Sequence, residues 1–152
     1  MTTTSASPHL PVNPIAQRLA YLGLIPFVLG ALLVWLIGDS NVEAHAFVTL
    51  SLSAYGAVVV SFLGGIQWGL GMRQHSASAR PFIWGVVPAL LAWVAVVMPA
   101  YAGLVVLGLM LVVCYLVDRR SYPALEASSW LMMRFRLSAT AALSCFLAAA
   151  GS

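Results

Sequence analysis

The chain has 152 residues, of which 62% are hydrophobic and only 7% are charged, whereas a soluble globular domain is about one quarter charged. So large an apolar fraction, with a mean hydropathy of +0.97, excludes a soluble fold of this size and indicates an integral membrane protein. The net charge of +3 is too small for nucleic-acid binding. The partner that the composition predicts is the lipid bilayer, with no nucleic acid.

Five apolar runs predict an all-α fold, a single bundle of five transmembrane helices. The runs are long and continuous, which favours helices over the strands of a membrane barrel, because barrel strands alternate in polarity. A helix that crosses a bilayer needs about 20 apolar residues. The predicted spans are Leu19–Ile37, Ala46–Leu70, Phe82–Met98, Tyr101–Val117 and Leu137–Ala150.

Two domains follow from this division: a flexible polar tail, residues 1–17, and one transmembrane domain, residues 18–152. The tail is rich in Thr, Ser and Pro, a composition that cannot bury an apolar core. The fifth span is short and rich in alanine, and two alternatives stay open, in which it extends back through Phe135 or into Trp130–Met133.

Two prolines inside the predicted spans, Pro26 and Pro88, predict helix kinks because proline removes a backbone donor. Each is preceded by a glycine three residues earlier and by an arginine eight residues earlier, Arg18 and Arg80. This repeated spacing of Arg, Gly and Pro is consistent with the duplication of a two-helix unit. Coincidence is the alternative, since little else aligns at that offset.

The arginines predict the orientation of the bundle. With five spans and an inside N-terminus, all seven arginines fall on one side, while Asp39 and Glu43 fall on the other. Arginine and lysine are enriched in cytoplasmic loops. We therefore expect the N-terminus inside and the C-terminus outside.

The segment Tyr55–Arg73 in the second span is apolar but rich in glycine. A small residue recurs at every fourth position of this span, which predicts a flat strip where a second helix can approach the backbone. Gly64 adds to this surface. The predicted helix-packing residues are Ser53, Ala57, Ser61, Gly64, Gly65 and Gly69.

Four residues form the candidate polar or interface site: Gln67, Trp68, Arg73 and Asp118. Gln67 serves either as a hydrogen-bonding link between helices or as a lining group of a small cavity. Trp68 is expected to lie at the membrane interface. Asp118 is expected to pair with Arg73 or with one of the two arginines that follow it, Arg119 and Arg120.

Catalytic and metal chemistry are poorly supported by the sequence. No His, Asp or Lys within a predicted span is placed to activate Ser61 as a nucleophile. Asp39, Glu43 and His45 are close in sequence, but such a loop cluster is more typical of a solvated linker than of a metal site. We predict no catalytic residue, no metal site and no cofactor.

Two motifs, Tyr21–Phe27 (YLGLIPF) and Tyr55–Gly69 (YGAVVVSFLGGIQWG), resemble the transmembrane protein 69-like family. This is a domain-of-unknown-function family of small bacterial and mitochondrial membrane proteins. The resemblance covers roughly 19–142 and implies a five-helix membrane protein, but it supplies no activity. Its last part is the order Asp118, Pro123, Trp130, Arg134, Arg136, Leu137.

The chain departs from this family at two places. The resemblance implies a histidine where this chain has Gln67, and a Trp-Tyr pair where it has Trp130-Leu131. A histidine with a catalytic or metal role is not freely replaced by glutamine. The difference therefore favours a hydrogen-bonding role for this position.

The function predicted from these features is that of a structural subunit, scaffold or assembly factor of a membrane complex, with other membrane proteins or itself as partner. The alternative is a small-molecule or ion transporter or channel that acts as an oligomer. An enzyme is the third reading. The expected location is the bacterial inner membrane, and the mitochondrial inner membrane is the alternative.

Overall fold

A computed structural model describes residues 13–73, 78–121 and 130–152, and over these residues the chain is helical with no strand. Five helical stretches are long and apolar enough to cross a membrane, which confirms the predicted all-α bundle of five spans. The first stretch contains two helices, and a short 3-10 turn, Gly38–Ser40, leads from it into the second. The helices are α1 (Pro14–Leu22), α2 (Ile25–Ile37), α3 (Val42–Arg73), α4 (Arg80–Val97), α5 (Ala100–Ser121) and α6 (Leu131–Ala150).

The first span begins earlier than predicted. Pro14 occupies the first turn of α1, and the side chain of Asn13 accepts a hydrogen bond from the backbone N–H of Ile15 at 2.9 Å. Asparagine before a proline at the first helical position is a common helix start. The segment 14–17 is therefore helical, whereas the predicted tail over 1–12 lies outside the described residues.

The two prolines act differently from one another. The first span is interrupted between α1 and α2, and Pro26 lies in the first turn of α2, so this site is a break between two helices. The hydroxyl of Tyr55 on α3 donates to the carbonyl oxygen of Gly23 at this break, at 2.9 Å. Pro88 is buried inside α4, which continues through it from Arg80 to Val97.

Helices α5 and α6 reach further than the sequence predicts. Helix α5 includes Asp118, and α6 begins at Leu131 instead of Leu137. The second open alternative, an extension into Trp130–Met133, is therefore the observed one. Arg134 and Arg136, which precede the predicted span Leu137–Ala150, both lie within the first two turns of α6.

Helix α3 lies at the centre of the bundle and packs most extensively against α4. A Cβ added at Gly64 would overlap the carbonyl oxygen of Gly85 on α4. Gly103 on α5 approaches the carbonyl oxygen of Ala95 in the same way. Only glycine allows two helix backbones to come this close.

The predicted small-residue strip does not stay on one face of α3. Ser53 and Ala57 are buried, but Gly65 and Gly69 are exposed and a Cβ added at either would meet nothing within 4 Å. The helix repeats every 3.6 residues, so a row with a spacing of four turns about 40° further at each step. The buried row instead alternates spacings of four and three: Ser53, Ala57, Val60, Gly64, Gln67 and Gly71.

The succession of helices places all seven arginines at one end of the bundle, which we call the arginine end. They lie at the start of α1, α4 and α6 and at the end of α3 and α5. Asp39 and Glu43, at the junction of the first two spans, lie at the opposite end. This arrangement positions the polar residues described next.

Candidate functional site

Three polar side chains from three helices meet near the arginine end and form what we call the polar cluster. Asp118 of α5 is the centre. One of its carboxylate oxygens, Oδ1, accepts a hydrogen bond from Nε2 of Gln67 on α3 at 2.8 Å. The other, Oδ2, accepts from Nε of Arg134 on α6 at 2.9 Å and also from Nη2 of the same side chain. The carboxylate thus links α3, α5 and α6.

The polar cluster is buried and its charges cancel. Gln67 and Asp118 are each 3% exposed and Arg134 is 7% exposed. A single charge in such a place is expensive, but the guanidinium and the carboxylate neutralise each other. The geometry is that of a charge-assisted pair completed by a neutral donor.

The positions of Asp118 and Arg134 in their helices explain why the two charges stabilise each other. Asp118 lies in the last turn of α5 and Arg134 in the first turn of α6. The helix dipole favours cations at a C-terminus and anions at an N-terminus, so each residue carries the charge that its own helix end disfavours. The ion pair offsets both mismatches at once.

The structure brings two of the four predicted site residues together and separates the other two. Gln67 and Asp118 are hydrogen-bonded, as the first reading of Gln67 expects. Trp68 instead faces α4, where its Nε1–H donates to the carbonyl oxygen of Phe82 at 2.7 Å. Arg73 is exposed at the end of α3.

The predicted ion-pair partners of Asp118 are wrong. Arg73, Arg119 and Arg120 are exposed, and the described partner is Arg134. The sequence nevertheless carries a signal for the burial of Arg134. Helical periodicity places Arg134 on the same face of α6 as a row of small, buried residues: Ser138, Ala141, Ala142, Cys145 and Ala148.

The opposite end of the bundle is held by hydrogen bonds to the end of α6. Nε1 of Trp35 donates to the carbonyl oxygen of Leu147 at 2.8 Å, and Nε2 of His45 lies 2.9 Å from the carbonyl oxygen of Gly151. These carbonyls lie at the C-terminal end of α6, where the Leu147 carbonyl also accepts a hydrogen bond from the backbone N–H of Gly151 at 3.2 Å. Among the described residues, His45 does not gather with Asp39 and Glu43 into a metal-binding group.

A cavity of about 640 Å³ lies between α1, α3 and α6, and it begins at the arginine end. Its wall is almost entirely apolar. Arg134 and Ser138 of α6 contribute its polar side chains, and Tyr55 contributes a ring. Gln67 and Ser61 do not line it.

The polar cluster is suited to holding helices together more than to reaction chemistry. Both oxygens of Asp118 accept hydrogen bonds from side chains of neighbouring helices. The hydroxyl of Ser61 donates to the carbonyl oxygen of Ala57, four residues earlier on α3, at 2.8 Å. Cys114, one turn before Asp118, is a buried, unpaired thiol.

The fold and the polar cluster define a class: a multi-pass helical membrane protein whose helices are joined by a buried ion pair. Residues 12–150 match the family model described as protein of unknown function (DUF3429). Since this match covers most of the chain, the protein belongs to that family. The transmembrane protein 69-like assignment made from the sequence is confirmed.

Similarity to a vertebrate protein supports this assignment. Transmembrane protein 69 of Xenopus tropicalis is 38% identical in an alignment 101 residues long, which covers 62% of this chain and 38% of the relative. The chain therefore spans well under half of the length of that relative. No solved structure matches the chain.

Proposed function

We propose that the protein is a structural subunit, scaffold or assembly factor of a membrane complex, with another membrane protein or a second copy of itself as partner. The observation that supports this is the open backbone of α3 at Gly65 and Gly69. Both glycines are exposed, and nothing lies within 4 Å of a Cβ added at either. The neighbouring Gly64 is already used inside the chain, against α4.

The two open glycines form a surface of the kind that membrane helices use for association. In a bilayer, helices associate through close van der Waals packing at small residues, because lipid tails are as apolar as leucine. Gly65 and Gly69 are separated by one helical turn and leave a shallow groove between larger exposed side chains. Phe62 and Met72 flank them on the same side of α3.

The alternative of a transporter or channel receives less support. That alternative expects a polar cavity lined by Gln67 and Ser61. The amide of Gln67 is bound to Asp118, and the hydroxyl of Ser61 is bound to the backbone of its own helix. The cavity of the bundle is apolar and is lined by other residues.

The experiment that tests the proposal replaces Gly65 by leucine. Because the site is open, Gly65→Leu leaves room for the fold while filling the groove, so we expect normal accumulation and thermal stability but loss of partners. Partners are measured by affinity purification from native membranes in mild detergent, followed by quantitative mass spectrometry. A self-associating chain would show the same loss in cross-linked dimer.

Two controls isolate the groove. Gly65→Ala keeps the residue small and is expected to retain the partners. Ala139→Leu adds the same bulk at an exposed position of another helix, α6, and is also expected to retain them. A Gly65→Leu protein with an unchanged set of partners and an unchanged oligomeric state would refute the proposed role.

We further propose that the arginine end faces the inside of a bacterial inner membrane, so that the N-terminus is inside and the C-terminus outside. The clustering of all seven arginines at one end supports this orientation. A reporter that is active only outside the membrane, fused after Ser152, is expected to be active. Inactive fusions both after Ser152 and in the Gly38–Ser40 turn, together with an active fusion at the junction of α3 and α4, would reverse the orientation.

A further inference from the structure

We propose that the cavity between α1, α3 and α6 binds one acyl chain of a membrane glycerolipid, and that the Ser138 hydroxyl donates a hydrogen bond to the ester carbonyl of that chain. This site does not depend on the role proposed for Gly65 and Gly69, which lie outside the cavity. Three features support the inference: the shape of the cavity, the unpaired hydroxyl of Ser138, and the zero net charge of the Arg134–Asp118 pair at the polar end of the cavity.

The cavity has the size and lining for a lipid chain. Its volume of about 640 Å³ lies within the range of about 300–1,000 Å³ that is usual for ligand pockets. On α3 its lining residues extend from Tyr55 to Leu70. At about 1.5 Å of rise per residue this is about 22 Å, so the cavity is elongated along the helices.

Ser138 gives the cavity a polar group that lacks a partner. Its Oγ is buried, in a residue that is 4% exposed, and it has no hydrogen-bond partner among the described residues. Other hydroxyls in these helices, such as those of Thr49 and Ser144, donate to the carbonyl four residues earlier. A buried hydroxyl without a partner costs about 1–3 kcal/mol, so an acceptor from a ligand would remove a real penalty.

The charge at the polar end favours a neutral acceptor. Arg134 lines the cavity, but its charge is already matched by Asp118. A carboxylate or phosphate placed beside this pair would leave one negative charge uncompensated in the interior, which is costly. An ester carbonyl accepts hydrogen bonds from Ser138 and from the remaining N–H groups of Arg134 without adding charge.

The depth of Ser138 fits the position of a lipid ester. Ser138 lies seven residues into α6, about 10 Å along the helix from its start at the arginine end. Glycerolipid esters lie at the boundary between headgroups and hydrocarbon, so a lipid of the leaflet at the arginine end can place its ester near Ser138. Its chain then extends past Tyr55 and Phe27 toward the middle of the bundle.

Photolabelling in proteoliposomes tests this site. The probe is a phosphatidylcholine with a diazirine in the middle of one acyl chain, and the labelled residues are mapped by mass spectrometry. Leu137 and Ala141 line the cavity, whereas Leu143 and Leu147 of the same helix are exposed to lipid. We expect adducts at the cavity pair to saturate at low probe fraction, and those at the exposed pair to rise in proportion to it.

Three variants make the test specific. Ala20→Phe places a ring in the cavity from α1 and is expected to abolish saturable labelling, whereas the size-matched control Ala54→Phe, on the exposed face of α3, is expected to leave it unchanged. Ser138→Ala is expected to lower the apparent affinity about threefold to tenfold, the equivalent of one lost hydrogen bond. Because it removes an unpaired hydroxyl, Ser138→Ala should not reduce thermal stability in lipid-free detergent.

Several results would overturn the proposal. Labelling of Ala141 that grows only in proportion to the probe, or that survives Ala20→Phe, shows that no chain-binding site exists. Saturable labelling that is unchanged in Ser138→Ala shows that the hydroxyl does not hold the ester. A diazirine-labelled palmitic acid that occupies the site more tightly than the phosphatidylcholine would replace the ester by a free carboxylate and refute the neutral-acceptor argument.

Discussion

The two sides of helix α3 join their neighbours by opposite means. On the side of α4, the helices touch backbone to backbone, and Gly64 has no room for a methyl group beside Gly85. On the side of α1 and α6, the helices stand apart around a cavity. There the Tyr55 hydroxyl of α3 bonds to the break after α1, and Gln67, on the buried row next to the cavity, bonds to the polar cluster that links α3 to α6.

The difference shows two solutions to one physical problem. Lipid tails are as apolar as the interior of the bundle, so apolar burial alone does not hold the helices together. Their association needs either close packing or hydrogen bonds. The α4 side uses close packing and is sensitive to added volume. The cavity side uses hydrogen bonds and is sensitive to the loss of polar groups. Substitutions that add volume therefore test the α4 side, and substitutions that remove polar groups test the cavity side.

The largest effect is expected on the cavity side from Asp118→Ala. This change leaves Arg134 charged and without its partner in the interior, which costs about 3–5 kcal/mol of unfolding free energy. Reversible unfolding in mixed detergent and SDS micelles measures it. The double variant Asp118→Leu, Arg134→Met removes both charges and is expected to recover most of the loss. A single variant that unfolds like the wild type would contradict the buried ion pair.

The second-largest effect is a difference in unfolding free energy between alanine substitutions at two adjacent glycines of α3. Gly64→Ala forces the methyl group into the backbone of α4 and is expected to cost about 1–3 kcal/mol. Gly65→Ala meets open space and is expected to be neutral or slightly stabilising, because alanine favours helix over glycine by up to about 1 kcal/mol. The same unfolding measurement compares them, and equal effects at both positions would show that α4 does not pack as described.

A smaller effect is expected from Gln67→Leu. This change removes one donor to Asp118 and is expected to cost about 0.6–1.7 kcal/mol, the range for hydrogen bonds between membrane helices. Gln67→His is the informative comparison, because the family resemblance implies histidine here and a neutral imidazole still has one N–H to donate. A histidine variant no better than leucine would indicate that the hydrogen bond has little value.

The smallest effect is expected from Tyr55→Phe. It removes the bond to the carbonyl of Gly23 but keeps the ring, whose edge packs against Phe27 with centroids 5.2 Å apart. One neutral hydrogen bond is worth about 0.5–1.5 kcal/mol. Hydrogen exchange measured by mass spectrometry is expected to rise around Gly23 and to stay unchanged at the Gly38 turn, which serves as the internal control.

The sequence predicted the number and kind of helices well because hydropathy over about 20 residues depends only on local composition. It predicted the packing row on α3 less well. A spacing of four was followed across four turns, and the accumulated rotation carried Gly65 and Gly69 away from the buried face. Only the alternation of four and three keeps a row on the buried side of the helix.

The candidate site was half predictable for a related reason. Gln67 and Asp118 are polar residues beside apolar runs, and such exceptions are visible in a sequence. Arg134 is equally polar, but it and Arg136 both precede the predicted start of the fifth span at Leu137. Which of two nearby arginines is buried depends on the direction that α6 takes across α5, and that is a property of the tertiary packing.

The polar cluster has a consequence for the way the chain is made. Its acid lies on α5, whereas its cation lies on α6, which is synthesised after α5. Until α6 inserts, Asp118 has no arginine to pair with inside the bundle, and Gln67 is its only described companion. The fifth span therefore completes the charge balance of the others, and a chain that stops before Arg134 is expected to be recognised by membrane proteases as unfinished.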